Sequence, residues 1–227
     1  MAHSVDFVEV SAVRKVVICA GADSGAITAV SLTDGSVFYT TEALEYRTMT
    51  DVAMSPDNVY IATPAHGVVV ISLSQAVVTG HLYDRANGHS VPTKLLVNSG
   101  QAGQLIVGYK DGLLLVFDVD TRTVVRSMSG HSAQINTLHL LTSGHRLTSG
   151  QLISAADDQR AMIWNLEERK LLDEEEMWTT SEPRSCRVFD DMSNYAVNCY
   201  TLDSKQSVLY AGSCNGQVKL FSVDTGE

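Results

Sequence analysis

Five polar turn positions recur along this chain at a nearly constant interval. Asp23, His66, Asp111, Asp158 and Asn215 follow one another at steps of 43, 45, 47 and 57 residues. Each closes a short apolar run and opens another. A fixed period of about 40–45 residues means that one supersecondary unit is repeated, and it constrains the fold more than any local propensity does. The runs are β-branched and brief, as in Val16-Val17-Ile18-Cys19-Ala20, Val68-Val69-Val70-Ile71 and Leu113-Leu114-Leu115-Val116-Phe117. Helical periodicity is scarce, and runs about ten residues apart separated by turn residues read as strands. An all-β class follows, to be divided among sandwich, barrel and propeller.

Self-alignment divides them. His3-Ser4-Val5, His89-Ser90-Val91 and His131-Ser132-Ala133 open three of the units, with Gly88 and Gly130 preceding the last two histidines. The unit beginning at Gly130-His131 continues through Leu152-Ile153-Ser154-Ala155-Ala156-Asp157-Asp158 to Met162-Ile163-Trp164-Asn165. This stretch closely resembles the WD40-repeat family, whose pattern is Gly-His, a strand Ser, a turn Asp and a strand Trp followed by Asp. Asn165 stands where that last Asp would be. The resemblance implies a WD40-type β-propeller of about five four-stranded blades. They span residues 3–45, 46–86, 87–129, 130–178 and 193–227, the last blade incomplete. Within the fourth, strands are expected at Gln134–Leu140, Gln151–Ala155, Ala161–Trp164 and Lys170–Leu172. The first strand is already used inside blade one and the last is the third of blade five. A partial or open propeller is therefore expected, whose edges another domain or chain would cover.

The chemistry of the signature can be argued residue by residue. An indole N–H only donates, and a buried one needs an acceptor. The Ser154 hydroxyl can accept from Trp164 and donate to one ring nitrogen of His131, while the other ring nitrogen donates to Asp158. His131, Ser154, Asp158 and Trp164 then form a structural hydrogen-bond network with every buried polar group satisfied. The same letters could spell a hydrolase triad. Ser154 lies inside an apolar strand, however, with no Gly-x-Ser-x-Gly elbow, so the structural role is expected. Elsewhere the pattern decays coherently. Blade three has Val107 and Phe117 where Ser and Trp would stand, so donor and acceptor disappear together.

Charge and composition narrow the partners. Lys plus Arg is 16 and Asp plus Glu is 26, a formal charge of −10 that repels phosphate backbones and disfavours nucleic acid. No apolar run approaches a membrane span of about 20 residues. The cysteines Cys19, Cys186, Cys199 and Cys214 form no Cys-x-x-Cys pair, and no two histidines sit at metal spacing with a carboxylate. No phosphate-binding glycine motif occurs. No catalytic residue, metal or cofactor is expected. A reducing compartment, cytoplasmic or nuclear, fits the cysteine usage.

The resemblance implies a non-catalytic scaffold assembling protein or peptide partners on propeller faces and loops. The candidate partner-binding residues are Trp178, Arg184, Arg187 and Phe189, which lie in the long step after blade four and are of types frequent at interface anchors. The alternative is a propeller-fold hydrolase with its site in the central channel. It would need three or more titratable groups converging without ion-pair satisfaction. The innermost strands offer Glu9, Asp51 and Lys94.

Overall fold

The short β-branched runs form strands, and the strands pair in chain order into separate antiparallel sheets. The computed structural model describes residues 5–21, 25–41, 48–83, 90–98, 103–141, 150–166, 187–189, 197–203, 208–213 and 216–222. Sheet one holds β1 (Phe7–Ser11), β2 (Val16–Ala20), β3 (Ile27–Ser31) and β4 (Val37–Thr41). Sheet two holds β5 (Asp51–Met54), β6 (Asn58–Thr63), β7 (Gly67–Ser72) and β8 (Val77–Leu82). Sheet three holds β9 (Pro92–Val97), β10 (Gln104–Tyr109), β11 (Leu114–Asp118) and β12 (Thr123–Met128). Sheet four holds β13 (Ile135–Leu141), β14 (Gln151–Ala156), β15 (Ala161–Asn165) and β16 (Arg187–Phe189). Sheet five has three strands among the described residues, β17 (Val197–Leu202), β18 (Val208–Ser213) and β19 (Val218–Ser222). Among the described residues the fold is all-β, with four four-stranded antiparallel sheets and one three-stranded sheet, the blades expected of a β-propeller.

Among the described residues the fourth strand of sheet four is Arg187–Phe189; Lys170–Leu172, expected there from the sequence, lies outside the described residues. Arg187 pairs with Ile163, Val188 with Met162 and Phe189 with Ala161. An edge strand answers to one neighbour only, so cross-strand fit selects it more than a local apolar period does.

The described residues fall into two compact units. The first contains sheets one and two and part of sheet three; the second contains the rest of sheet three with sheets four and five. In the first unit, Ile18, Ala20, Ile27 and Ala29 of sheet one pack on Val52, Val59, Ile61, Val69 and Ile71 of sheet two. In the second, Ile153, Ala155, Ala161 and Ile163 of sheet four pack on Leu209 and Ala211 of sheet five. The inner strands β6, β7, β14 and β15 are buried along almost their whole length, because both faces are covered. β2 and β3 alternate between buried and half-buried positions.

Bonds between consecutive sheets carry the repeat into space. In the first unit, Thr50 Oγ1 donates to the Pro92 carbonyl at 2.6 Å across 42 residues. Arg122 donates to the Thr79 carbonyl at 2.6 Å across 43. Arg14 donates to the Pro56 carbonyl at 3.0 Å and pairs with Asp57, across 42 and 43 residues. In the second unit, Tyr200 Oη donates to the Ile153 carbonyl at 2.6 Å across 47.

Candidate functional site

Sheet four brings His131, Ser154, Asp158 and Trp164 together. Ser154 and Trp164 lie on neighbouring strands, β14 and β15, where Ser154 pairs with Met162 and Leu152 with Trp164. Asp158 sits in the tight turn between them. That turn closes with Ala156 N donating to the Arg160 carbonyl at 3.2 Å and with Gln159 in the left-handed region at φ 67°. His131 enters from the segment before β13.

The geometry is a continuous relay. Trp164 Nε1 donates to Ser154 Oγ at 2.7 Å. Ser154 Oγ lies 2.8 Å from His131 Nε2, and His131 Nδ1 lies 2.8 Å from Asp158 Oδ2. The carboxylate also accepts the backbone N–H of Ser132 at 3.0 Å and of Arg160 at 3.1 Å. With Nδ1–H donating to Asp158, Nε2 is left to accept the Ser154 hydroxyl, and that hydroxyl keeps a lone pair for the indole. Burial pushes the Asp158 carboxyl up. The hydrogen bond and electrostatic attraction of His131, with the N–H groups of Ser132 and Arg160, outweigh it and hold the carboxyl below the usual range.

A Ser–His–Asp connection is therefore present, but it is not laid out for catalysis. Ser154 has 0% of its surface exposed, and its oxygen is engaged by an indole. A serine nucleophile needs a substrate carbonyl within reach and backbone donors for the developing oxyanion. Ser154 offers no exposed surface for a substrate carbonyl to reach, and its hydroxyl links strands. In sheet three the positions of that pair are Val107 and Phe117, both fully buried, so an apolar contact replaces the polar one.

A second cluster forms on the first strands of sheets one to three. Lys94 Nζ on β9 lies 3.4 Å from Asp51 Oδ1 on β5. Asp51 Oδ2 accepts the Leu95 N–H at 2.8 Å. Burial raises the Asp51 carboxyl, against the lowering influence of Lys94 and that N–H. Glu9 on β1 is raised by burial first and by repulsion from Asp51 second. Three titratable groups thus converge, as a channel hydrolase would require, but an ion pair already engages two of them.

A third grouping, around His66, has no signature in the sequence. His66 lies 6.4 Å, ring centre to ring centre, from His81 on β8, and His81 stacks on Tyr83 at 5.6 Å. Burial lowers His81, with help from the nearby positive charges of His66 and Arg122. The pairing of β7 with β8 sets Val69 opposite His81 and so places the imidazole near the turn of His66. A correct hairpin register was the signal that could have found it.

The proposed docking residues Trp178 and Arg184 lie outside the described residues, as do the side chains of Arg187 and Phe189. Among the described residues, no group of three or more His, Cys, Asp or Glu could hold a metal ion. No helix among them is long and apolar enough to cross a membrane.

Comparison with known proteins bears on this geometry. The family model described as WD domain, G-beta repeat matches residues 122–165, the stretch that contains all four members of the relay. Residues 122–165 form a WD40 repeat. This WD40-repeat chain is 33% identical over 75 residues to Elongator complex protein 2 of Rattus norvegicus. It is 29% identical over 75 residues to Elongator complex protein 2 of Mus musculus. Each match covers 33% of the WD40-repeat chain and 9% of the relative, so the likeness concerns a small part of those proteins. The fold is similar to the crystal structure of the Myceliophteria thermophila Cps50 (Swd1) β-propeller domain, with a TM-score of 0.78 at 16% identity. That similarity spans 100% of the WD40-repeat chain and 73% of the other.

Proposed function

We propose that this WD40-repeat chain is a non-catalytic scaffold that holds protein or peptide partners inside the cell, in the cytoplasm or the nucleus. One observation carries the reading. The chain's Ser–His–Asp connection is enclosed beneath Trp164 and serves to tie β14, β15 and their flanking loops together. Its polar chemistry is thus used for rigidity, which leaves recognition to loops on a fixed frame. The name of the Elongator relatives, each a protein of a complex, supports a role in assembly.

Docking is assigned to the segment around Trp178, Arg184, Arg187 and Phe189. In sequence it leads into and includes β16, the last strand of sheet four. An exposed edge can also extend a partner's sheet by backbone pairing. The test is affinity capture on the purified chain, with mass spectrometry of what is retained, repeated for Trp178→Ala and Arg187→Ala. Saturable capture of a defined partner, weakened by both substitutions, is the expected result. Undiminished capture removes this segment from the reading. No specific capture, together with turnover of an ester or glycoside substrate, overturns the scaffold itself.

A further inference from the structure

Sheet two ends on a strand whose composition invites pairing. β8 has β7 on one side and, among the described residues, no strand on the other. Its residues Val77-Val78-Thr79-Gly80-His81-Leu82 include no carboxylate, lysine, arginine or proline. Val77 and Val78 are 49% and 37% exposed. Open, uncharged, β-branched edges are where one molecule's sheet extends into another's, and proteins guard them with bulges and charged side chains.

Both kinds of guard are found on β8, and the charged one comes from the next sheet. Val70 lies opposite Gly80 and Ile71 opposite Val78, so Thr79 is the additional residue of a bulge. The Thr79 carbonyl accepts Nη2 of Arg122, which stands in the turn before β12, at 2.6 Å. The guanidinium rests on the bare backbone of Gly80. A β-carbon there would meet its central carbon and would lie 2.5 and 2.7 Å from its two terminal nitrogens. Any side chain at residue 80 would therefore push the guanidinium away.

Arg122 is also held where an arginine is strained, at φ 57°. The turn before β4 in sheet one uses Gly35 in the left-handed region, at φ 73°. A residue with a side chain persists in that region where its surroundings fix it, and such strain marks positions with a task. Glycine at residue 122 would relieve the strain and lose the contact with β8. The turn keeps the residue whose side chain can reach Thr79.

We propose that Arg122 is an edge guard, closing the outer edge of sheet two against antiparallel pairing with β8 of a second copy. The second copy is the occupant because β8 is complementary to itself. A two-fold contact sets the same uncharged segment on both sides, and loss of one kind of side chain frees both edges at once. The strands and the guard all belong to the first compact unit. The device is separate from partner docking at sheet four, so either can fail alone.

The experiment is sedimentation equilibrium on the purified full chain, wild type and three variants, each shown to be folded by circular dichroism and thermal melting. Arg122→Gly removes the guard and leaves the turn unstrained. Gly80→Ala expels the guanidinium without touching Arg122. The third variant adds Val77→Lys to Arg122→Gly and so restores a charge to the edge. Arg122→Gly and Gly80→Ala should both show an average mass above that of wild type, rising with concentration. The third variant should return to the wild-type mass. Amide hydrogen exchange should slow across β8 in associated Arg122→Gly and nowhere else in sheet two. Three results overturn the proposal: wild-type mass for Arg122→Gly at every concentration, wild-type mass for folded Gly80→Ala, or association that survives Val77→Lys.

Discussion

A side chain on Gly112 would begin 2.5 Å from the backbone carbonyl oxygen of His131. Gly112 has φ of 90°, where glycine alone is comfortable. The Asp111-Gly112 turn therefore lies directly against the residue that opens the relay of sheet four. Gly112→Ala should cost at least about 2 kcal/mol, from backbone strain and displacement of His131 together. A urea titration checks it. A midpoint within error of wild type would mean that the turn tolerates the shift.

Ser154 accepts from the Trp164 indole and donates to His131, so its removal should be felt at both ends. Ser154→Ala leaves the Trp164 indole without an acceptor and should cost about 1–3 kcal/mol. Trp164→Ala and Asp158→Ala should each cost about 2–5 kcal/mol. The pair Ser154→Val with Trp164→Phe copies sheet three and should lose less than the sum of its single substitutions, because donor and acceptor leave together. A double-mutant cycle by chemical denaturation measures the difference.

Acid should act through Asp158. Its folded carboxyl titrates below the ordinary range. The stabilisation it brings is complete above the unfolded carboxylate pKa of about 3.9 and disappears as pH falls through the lower folded value. Between those limits wild type should lose stability faster than Asp158→Asn does. Melting temperatures collected from pH 5 downward test this, and parallel slopes would refute it.

Glu9 should show the opposite sign. Its folded carboxyl is raised by burial and by Asp51, so the charged form opposes folding. Glu9→Gln should raise the melting temperature at pH 7. The gain should shrink as pH falls towards the ordinary glutamate range, where wild-type Glu9 takes up its own proton.

Tyr200 ties sheet five to sheet four through the Ile153 carbonyl. Burial lifts its hydroxyl well above the usual tyrosine range. Tyr200→Phe should cost about 1 kcal/mol. Spectroscopic titration should show one fewer late-ionising tyrosine than in wild type.

The sequence made some of this legible and hid the rest for physical reasons. The relay of sheet four could be read because its members sit at fixed places in a repeat and because a buried indole demands an acceptor. Glu9, Asp51 and Lys94 could be named singly, but their meeting depends on how successive sheets register, about one repeat apart in sequence. No local pattern encodes that. The pairing of β16 with β15, Arg187 opposite Ile163 and Val188 opposite Met162, had no local signal, because an edge strand is chosen by its neighbour. The His66–His81 contact was invisible until the hairpin fixed which residue of β8 faced the turn.

Trp164 has a use beyond cohesion. It is one of two tryptophans in the chain, and its indole is enclosed and hydrogen-bonded. With Trp178 replaced by phenylalanine, near-ultraviolet emission would come from a single site in sheet four. A blue-shifted band would signal an intact sheet, and a red shift would time its opening, without any label being attached.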